Sequence, residues 1–207
     1  MRENSPNFST RERILGVAES LFAQHGFSGA SLRQVTAAAK VNLAAVNYHF
    51  GSKDSLIEEV FRRRLDELNR RRLDALAAAT AKPGHRLEDV LEAFVRPALE
   101  QSMDSAGGAA FVRVLARAYA EHDERLRRFL SDNYGHVLRE FAAAFGALLP
   151  HLDKEELYWR LDIVAGALTY AMADFGVIKR KHDVSEHSHR ERTVEHLIRF
   201  AAAGLRE

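Results

Sequence analysis

The segment that decides the fold lies near the start of the chain. Residues 39–53 read AKVNLAAVNYHFGSK. Apolar residues recur at helical spacing on both sides of Lys40-Val41-Asn42, and Asn42 is well suited to cap the helix that follows, Leu43 to His49. Two helices of about two turns each, separated by three residues, form a helix-turn-helix pattern.

The residues before this segment predict two more helix starts. Residues 9–12 (STRE) and 31–34 (SLRQ) are capping boxes, in which a serine and a glutamate or glutamine each bind the other's backbone N–H group. The first helix carries an apolar stripe and is closed by Gly26, and the second ends near Ala39. Together with residues 39–53 they predict a three-helix unit.

Helical spacing continues through the rest of the chain. A long helix is predicted from Ser52 to about Thr80, and Lys82-Pro83-Gly84 breaks it, which marks a candidate domain boundary. Asp153 and Ser188 are predicted to cap the last two helices. The further helices are predicted near residues 86–102, 108–121, 123–149, 154–181 and 189–206. The predicted fold class is all-α, with about nine helices and the long helix joining an N-terminal helix-turn-helix domain to a C-terminal helical domain.

The composition excludes several classes of protein. The chain has 207 residues, 46% of them hydrophobic, and its longest uncharged apolar stretches fall far short of the roughly 20 residues that a membrane span needs. The lack of cysteine excludes disulfides and thiolate zinc sites, and residues 1–10 lack the apolar core of a signal peptide. We therefore expect a cytoplasmic protein with no membrane partner.

The net charge of +1 hides an uneven distribution. Up to Arg72 the chain carries 12 lysines and arginines against 8 acids, a surplus of +4, whereas the remainder carries −3. Arginine runs at residues 62–64 and 70–72 contribute to this surplus, and a solvated helix face is the simplest interpretation of most of them. The average charge alone gives no reason to expect a nucleic-acid partner, but it is misleading for the first part of the chain.

The second helix of the helix-turn-helix is predicted to have two different faces. Val46 and Phe50 point inward with Val35, Ala39 and Val41, and the outward face is small, polar and aromatic, with no acid. Small alanines let a helix backbone approach the major groove, an asparagine amide can donate and accept on a base edge, and tyrosine and histidine reach phosphates. The candidate DNA-binding residues are Ser31, Arg33, Lys40, Asn42, Leu43, Ala44, Ala45, Asn47, Tyr48, His49 and Lys53.

The alternative for Tyr48 and His49 is that they merely pack against the first helix. Lys53 weakens this alternative because it lies at a helix start beside Gly51 and Ser52. Free backbone N–H groups and the positive end of the helix dipole favour a phosphate there.

At these residues the chain resembles the TetR family of bacterial transcriptional regulators. The resemblance covers the first 56 residues and rests on Leu21-Phe22, Gly26-Phe27, the Ser31 cap, Ala39 to Asn42, Tyr48-His49-Phe50, Lys53 and Leu56. The string from Ala45 to Lys53 looks like the branch that contains regulators of fatty-acid degradation and of drug efflux. The resemblance implies a homodimeric DNA-binding repressor whose helical C-terminal region binds a small molecule and whose last two helices dimerise. We therefore divide the chain into a helix-turn-helix DNA-binding domain, 1–53, and a helical ligand-binding and dimerisation domain, 54–207.

The chain departs from the family pattern at four positions. The family usually has alanine in place of Thr36, glycine in place of Lys40 and Ala44, and tyrosine in place of Asn47. A left-handed lysine stores strain of about 1 kcal/mol or more, so Lys40 either bears this strain, adopts an ordinary geometry or gains a phosphate contact. Because Asn47 takes the place of the family's tyrosine, the base preference of better-known members does not transfer, and we make no prediction of the operator sequence.

Dimerisation is expected because one recognition helix contacts too few base pairs to be selective. Two copies placed roughly 34 Å apart on a palindrome solve this problem. The segment from Leu157 to Phe175 is apolar on nearly all sides, as in a helix that is buried on two fronts, although its residues could also just complete a monomer core. The predicted dimer-interface residues are Leu161, Leu168, Phe175, Val194, Leu197, Ile198, Ala201 and Leu205.

Aromatic residues beyond position 90 predict an apolar ligand pocket among the middle helices. Large rings beside alanines can leave a cavity, or they can just interdigitate. The pocket candidates are Phe94, Phe111, Leu115, Tyr119, Tyr134, Phe141, Trp159 and Tyr170. A long-chain acyl compound or a hydrophobic drug fits such a lining. Arg113 and Arg117 could receive an anionic group of the ligand, or they could pair with Glu121 or Asp123 on the surface.

Two other functions remain as alternatives. His182, His187 and His189 cluster with acids and could serve a metal-dependent enzyme, but they lie in a charged connector rather than in fixed geometry. A helical dimeric binding module without sequence-specific DNA recognition is the second alternative. Phosphate loops and hydrolase motifs are missing from the sequence, so we expect no enzyme and no cofactor.

Overall fold

The structure is a computed structural model that describes residues 9–103, 107–121, 123–173 and 183–207. Within these ranges it contains nine helices and no strand, which confirms the all-α fold class. The helices are α1 (Thr10–Gly29), α2 (Leu32–Ala39), α3 (Leu43–Phe50), α4 (Lys53–Thr80), α5 (Leu87–Ser102), α6 (Gly108–Ala120), α7 (Glu124–Leu148), α8 (Lys154–Met172) and α9 (Glu186–Arg206). We call α1–α3 the amino-terminal head.

The helices of the head begin where their caps are predicted. The Ser9 hydroxyl accepts from the Glu12 N–H group at 3.2 Å, and the Glu12 carboxylate accepts from the Ser9 N–H group at 3.0 Å. These bonds to Ser9 lower the pKa of Glu12. Ser31 makes the same reciprocal pair at the start of α2, and Asn42 Oδ1 accepts from the Ala45 N–H group at 2.8 Å. The predicted caps of all three helices are confirmed.

The penultimate helix starts where predicted, with Asp153 Oδ1 accepting from the Glu156 N–H group at 2.8 Å, whereas the last helix starts at a different residue. Ser185, rather than Ser188, caps α9: its hydroxyl accepts from the Ser188 N–H group at 3.0 Å. The helix therefore begins three residues earlier than predicted, with Glu186 in its first turn, where a negative charge is favourable. The predicted extension of α8 to Lys181 falls in residues 174–182, outside the described part of the chain.

Three clusters of buried apolar side chains hold the helices together. The first fills the head and continues into α4, α6 and α7 through Phe61, Phe111 and Leu126. The second joins the end of α4 to α5, α7, α8 and α9, and the third lies around Leu99, between α4, α5, α8 and α9. The helix α4 contributes to all three clusters, so the core of the head does not stop at residue 53.

Five of the six arginines in the two runs of α4 keep their side chains at least partly accessible to solvent: Arg63 and Arg70 are exposed, and Arg62, Arg71 and Arg72 are half-buried. Arg70 pairs with Glu67 at 2.7 Å, and Arg71 pairs with Glu100 of α5. Arg64 is the exception, because its side chain is buried. No helix in the described ranges is long and apolar enough to cross a membrane.

Candidate nucleic-acid interface

The helix α3 packs on one side only. Val46 and Phe50 are buried in the cluster of the head, together with Val35 and Ala39 of α2. Val41, in the turn, is half-buried against the same cluster. The predicted inward-facing residues are confirmed, and the remaining side of α3 faces solvent.

The outward side of α3 carries the predicted candidates. Tyr48 is 86% exposed, so the interpretation that it packs against α1 is wrong. His49 is half-buried, with its ring centroid 5.1 Å from that of Tyr48 and 6.0 Å from that of Phe50. The other candidates on this side are the exposed Asn42, Leu43, Ala44 and Asn47 and the half-buried Ala45.

The turn between α2 and α3 is strained at Lys40. This residue has φ 53° and ψ 49°, and in the described ranges no other residue except glycine has a positive φ. The turn is held by the Val41 N–H group, which donates to Thr36 O at 3.0 Å, and by Arg13 Nε, which donates to Ala39 O at 3.0 Å. The hypothesis that Lys40 has an ordinary backbone geometry is therefore wrong. Its left-handed backbone conformation costs about 1–2 kcal/mol, and its side chain is exposed.

The remaining candidates flank the turn and α3. The Ser31 hydroxyl is used as the cap of α2, and Arg33 is exposed in the first turn of that helix. Lys53 is half-buried at the first position of α4, beside Ser52, whose hydroxyl accepts from the Ser55 N–H group at 3.0 Å. The candidates thus lie on consecutive segments: the start of α2, the turn, α3 and the start of α4.

Carboxylates at the start of α4 are paired with arginines. Asp54 and Glu58 both pair with Arg125 of α7, with a distance of 2.6 Å from Glu58 Oε1 to the guanidinium. Glu59 pairs with Arg11 of α1. These acids therefore do not stand as unpaired negative charges beside the outward side of α3.

The end of α1 is attached to the end of α6 by contacts that the sequence did not predict. The backbone is non-helical at Gly26, with φ 74° and ψ 174°, which confirms the predicted break at this glycine, and a further helical segment follows it to Gly29. The Phe27 N–H group donates to Glu121 Oε1 at 3.0 Å, and an added Cβ on Gly26 would lie 2.4 Å from the same oxygen. The positive φ at Gly26 thus favours glycine, and a larger side chain there would also have to displace the flexible end of Glu121.

The predicted pocket residues do not gather around one cavity. Phe111 and Leu115 belong to the cluster of the head, where the Phe111 ring packs edge-on against Phe61 at 5.9 Å. Phe94 and Phe141 pack edge-on against each other at 5.1 Å in the second cluster. These rings interdigitate with their neighbours, which was the alternative to a pocket.

The other pocket candidates lie at the surface or between helices. The Tyr134 hydroxyl donates to Asp66 Oδ1 of α4 at 2.7 Å; burial raises the pKa of Tyr134, and this hydrogen bond raises it further. Trp159 and Tyr170 are exposed. Tyr119 lies in α6, and its side chain is outside the described part of the structure.

An open apolar groove runs between α7 and α8. It has a volume of about 930 Å³, and Trp159 is the one pocket candidate with a described side chain that lines it. Its lining residues are Leu138, Lys154, Glu155, Tyr158, Trp159, Leu161, Asp162 and Ala165.

Most of the predicted dimer-interface residues are buried within their own subunit. Those buried are Leu161, Leu168, Val194, Ala201 and Leu205, those half-buried are Leu197 and Ile198, and Phe175 lies outside the described residues. The same two helices expose other large apolar side chains: Ile163 is 63% exposed and Phe200 is 70% exposed. These two residues line a small cleft of about 140 Å³ between α8 and α9. The core of the subunit thus covers most of the predicted interface residues, because helices that are apolar all round do not reveal which side the monomer core occupies.

The predicted histidine cluster cannot be assembled from the described residues. His182 lies outside them, and His187 Nδ1 is 3.0 Å from the Arg190 guanidinium. No group of three histidine, aspartate or glutamate side chains in the described ranges could hold a metal ion.

Similar proteins agree with this architecture. The chain is 32% identical over 66 residues to the HTH-type transcriptional repressor KstR2 of Rhodococcus jostii, a match that covers 32% of each protein. It is 33% identical over 82 residues to the HTH-type transcriptional regulator AcrR of Shigella flexneri, covering 40% of this chain and 38% of that protein. The matched parts thus span only about a third of the length of these curated relatives.

The likeness in structure covers nearly the whole chain. A TetR-like transcriptional regulator from Rhodococcus sp. RHA1 superposes with a TM-score of 0.60 and 20% identity, covering 98% of both chains, which shows the shared fold. The sequence profile of the "Bacterial regulatory proteins, tetR family" matches residues 14–60, and the profile of the "Tetracyclin repressor-like, C-terminal domain" matches residues 92–204. Since the second profile alone spans more than half of the chain, this protein belongs to the TetR family of bacterial transcriptional regulators.

Proposed function

We propose that this regulator is a repressor that binds a palindromic operator as a homodimer and is released from it by a hydrophobic small molecule. The single observation that carries the proposal is the outward side of α3, where Asn47 and Tyr48 are exposed among small alanines, on a helix without a carboxylate. An asparagine amide can read a base edge, and tyrosine and lysine side chains position the helix by contacting phosphates. Such a regulator works in the cytoplasm, where operator DNA lies.

The exposed apolar face of α8 and α9 supports the homodimer. Ile163, Tyr170 and Phe200 are each at least half exposed, and Ile163 and Phe200 both line the cleft between the two helices. Exposed apolar patches of this kind mark interaction surfaces, and a two-fold axis would bury the same patch on both subunits. The half-buried Leu197 and Ile198 would lie at its edge.

The groove between α7 and α8 supports an apolar ligand. Its volume and its lining by Leu138, Tyr158 and Trp159 fit an elongated molecule, such as a long-chain acyl compound or a hydrophobic drug. The half-buried ring of Phe94 and the buried ring of Phe141 pack against each other in the second cluster, so we place the ligand outside that cluster.

The connection between groove and head supports release by the ligand. The helix α4 contributes to all three buried clusters and begins directly after α3, so a shift of α7 and α8 against α4 would change the separation of the two heads. Ligand binding and operator binding then weaken each other by the same factor, provided that the ligand prefers the state that does not bind DNA.

The DNA-binding part is tested with duplexes that cover the region upstream of the protein's own gene. We expect a salt-sensitive, sequence-specific complex that protects a palindrome, and Tyr48→Ala should weaken it at least tenfold. Because Tyr48 is largely exposed, its loss should leave the melting temperature unchanged. Leu138→Ala, an exposed residue far from α3 in the chain, serves as the control. Binding to all duplexes with equal affinity, or to none, would instead favour the helical dimeric module.

The ligand part uses the single tryptophan of the chain, Trp159, as a reporter. Titration with oleoyl-coenzyme A or with rhodamine 6G should shift or quench its emission, since its side chain is 63% exposed in the groove. The same concentrations should release the operator duplex. If neither compound changes the emission or the affinity for DNA, release by these ligand classes is wrong.

A further inference from the structure

A buried ion pair joins α1 to α4. Arg64 Nε donates to Glu19 Oε1 at 2.8 Å, and Arg64 Nη2 donates to Glu19 Oε2 at 3.0 Å. Both side chains are less than a tenth exposed. A planar guanidinium that makes two parallel bonds to a carboxylate fixes the orientation of the two groups as well as their distance.

Two elements of the C-terminal part contact the same pair. Gly107, just before α6, approaches the guanidinium so closely that an added Cβ would lie 2.4 Å from Arg64 Nη2 and 3.8 Å from Glu19 Oε2. Gln101, near the end of α5, donates through Nε2 to the backbone oxygen of Arg64 at 3.0 Å. The pair is therefore the point at which α1, α4, the end of α5 and the start of α6 meet.

The surroundings of the pair do not by themselves require charge. Glu19 and Arg64 are buried on α1 and α4, which both contribute apolar side chains to the first cluster, and buried ion pairs can often be replaced by apolar residues without loss of stability. Apolar rings such as Phe27, Phe61 and Phe111 can slide past each other by small amounts, whereas a two-bond pair cannot rotate without losing a bond. The ion pair thus fixes the orientation of α1 on α4, whereas the apolar contacts hold the two helices together.

We propose that Glu19 and Arg64 are positioning residues for operator binding. They hold the head at one angle on α4, and in the dimer this angle sets the separation of the two α3 helices. Neither residue lies among the exposed candidates on α3, so they act through the head and not on the DNA. The inference rests on the proposed function, because operator binding is one of its readouts.

The test replaces the pair by apolar residues of similar size, Glu19→Leu with Arg64→Met. The chain has no cysteine, so Ala38→Cys, at an exposed position of α2, places one spin label on each head. Pulsed electron paramagnetic resonance then measures the distance between the two heads of a dimer without DNA. We expect this distance distribution to widen, affinity for the upstream duplex to fall about tenfold, and the melting temperature to stay within a few degrees of the wild type. The salt dependence of binding should not change, because no phosphate contact is removed.

The matched control is Glu59→Gln, which removes the charge of a half-buried carboxylate that pairs with Arg62 of its own helix and with Arg11, so that it also joins α1 to α4. It should leave the distances between the heads unchanged. A stable double variant with wild-type distances and wild-type affinity overturns the proposal, as does a Glu59→Gln variant with equally widened distances.

If the double variant does not fold, Glu19→Gln is measured in the same way. This variant keeps the size of the side chain but removes its charge, so a wider distance distribution supports the proposal, and wild-type distances with wild-type affinity overturn it. If the wild type binds no duplex specifically, the proposed function fails, while the distance measurement still decides whether the pair orients the heads.

Discussion

The amino-terminal head and the last two helices both expose aromatic side chains, but they do so for different reasons. In α3 the exposed Tyr48 lies among small and polar residues, and the apolar Val46 and Phe50 are buried. In α8, by contrast, Leu161 is buried and Ile163 is exposed, although both are apolar. The comparison teaches that a contrast in polarity identifies the outward side of a helix, whereas a helix without this contrast is oriented by its packing partners.

The largest expected effect comes from breaking the core that the head shares with the rest of the chain. Phe61 is fully buried, with its ring 6.1 Å from that of Phe27 and 5.9 Å from that of Phe111. Phe61→Ala should lower the free energy of unfolding by about 3–5 kcal/mol, because it leaves a cavity between the head, α4 and α6. Urea denaturation at a fixed protein concentration measures this loss. The exposed Leu138→Ala should cost less than about 1 kcal/mol, and an equal loss in both variants would contradict the shared core.

The next effect tests the exposed side of α8 and α9. Phe200→Glu would place two like charges in the proposed two-fold interface, and we expect the dimer to dissociate at least 100-fold more readily, which is about 2.7 kcal/mol. Sedimentation equilibrium measures the dissociation constant. Leu138→Glu, an exposed apolar residue of the groove between α7 and α8, is the matched control and should leave the dimer intact. The reverse result would move the interface to that groove.

A smaller effect is expected at the cap that starts α3. Asn42→Ala removes the side-chain acceptor of the Ala45 N–H group and should destabilise the protein by about 1 kcal/mol. Asn42→Ser keeps a capping oxygen and should restore most of the stability. Thermal unfolding compares the two variants, and amide exchange locates the loss. Faster exchange throughout α8 with none in α3 would contradict a local role for the cap.

The smallest effect concerns the strained turn. Lys40→Gly relieves the left-handed backbone and should stabilise the protein by up to about 1 kcal/mol, as seen in thermal unfolding. If the Lys40 side chain contacts a phosphate, the same change should lower the salt slope of DNA binding by about one per subunit. Lys40→Asn, which tolerates the left-handed region, should lower the slope equally with less gain in stability. A slope that stays at the wild-type value would exclude the phosphate contact.

The contrast in polarity between the two sides of a helix also decided which parts of the candidate sites could be predicted. Glu19 lies on the apolar stripe of α1, four residues after Leu15 and three before Phe22, and this position was a signal that it is buried. Its partner could not be found in the same way, because Arg64 is 45 residues away and is one of six arginines in two similar runs. The predicted pocket residues that the structure describes lie apart because α5, α6 and α7 turn their aromatic rings toward different clusters.

The sequence by itself determined where the helices of the head begin and which sides of α2 and α3 face inward. Caps and amphipathic contrast act within one or two turns, so residues 9–53 contain all the information that these features need. Only the tertiary structure decided which side of α8 and α9 stays exposed, and which arginine of α4 enters the core. Those outcomes depend on contacts between residues far apart in the chain. The sequence contains several apolar helix sides and several arginines that are nearly equivalent, so it does not determine which of them makes these contacts.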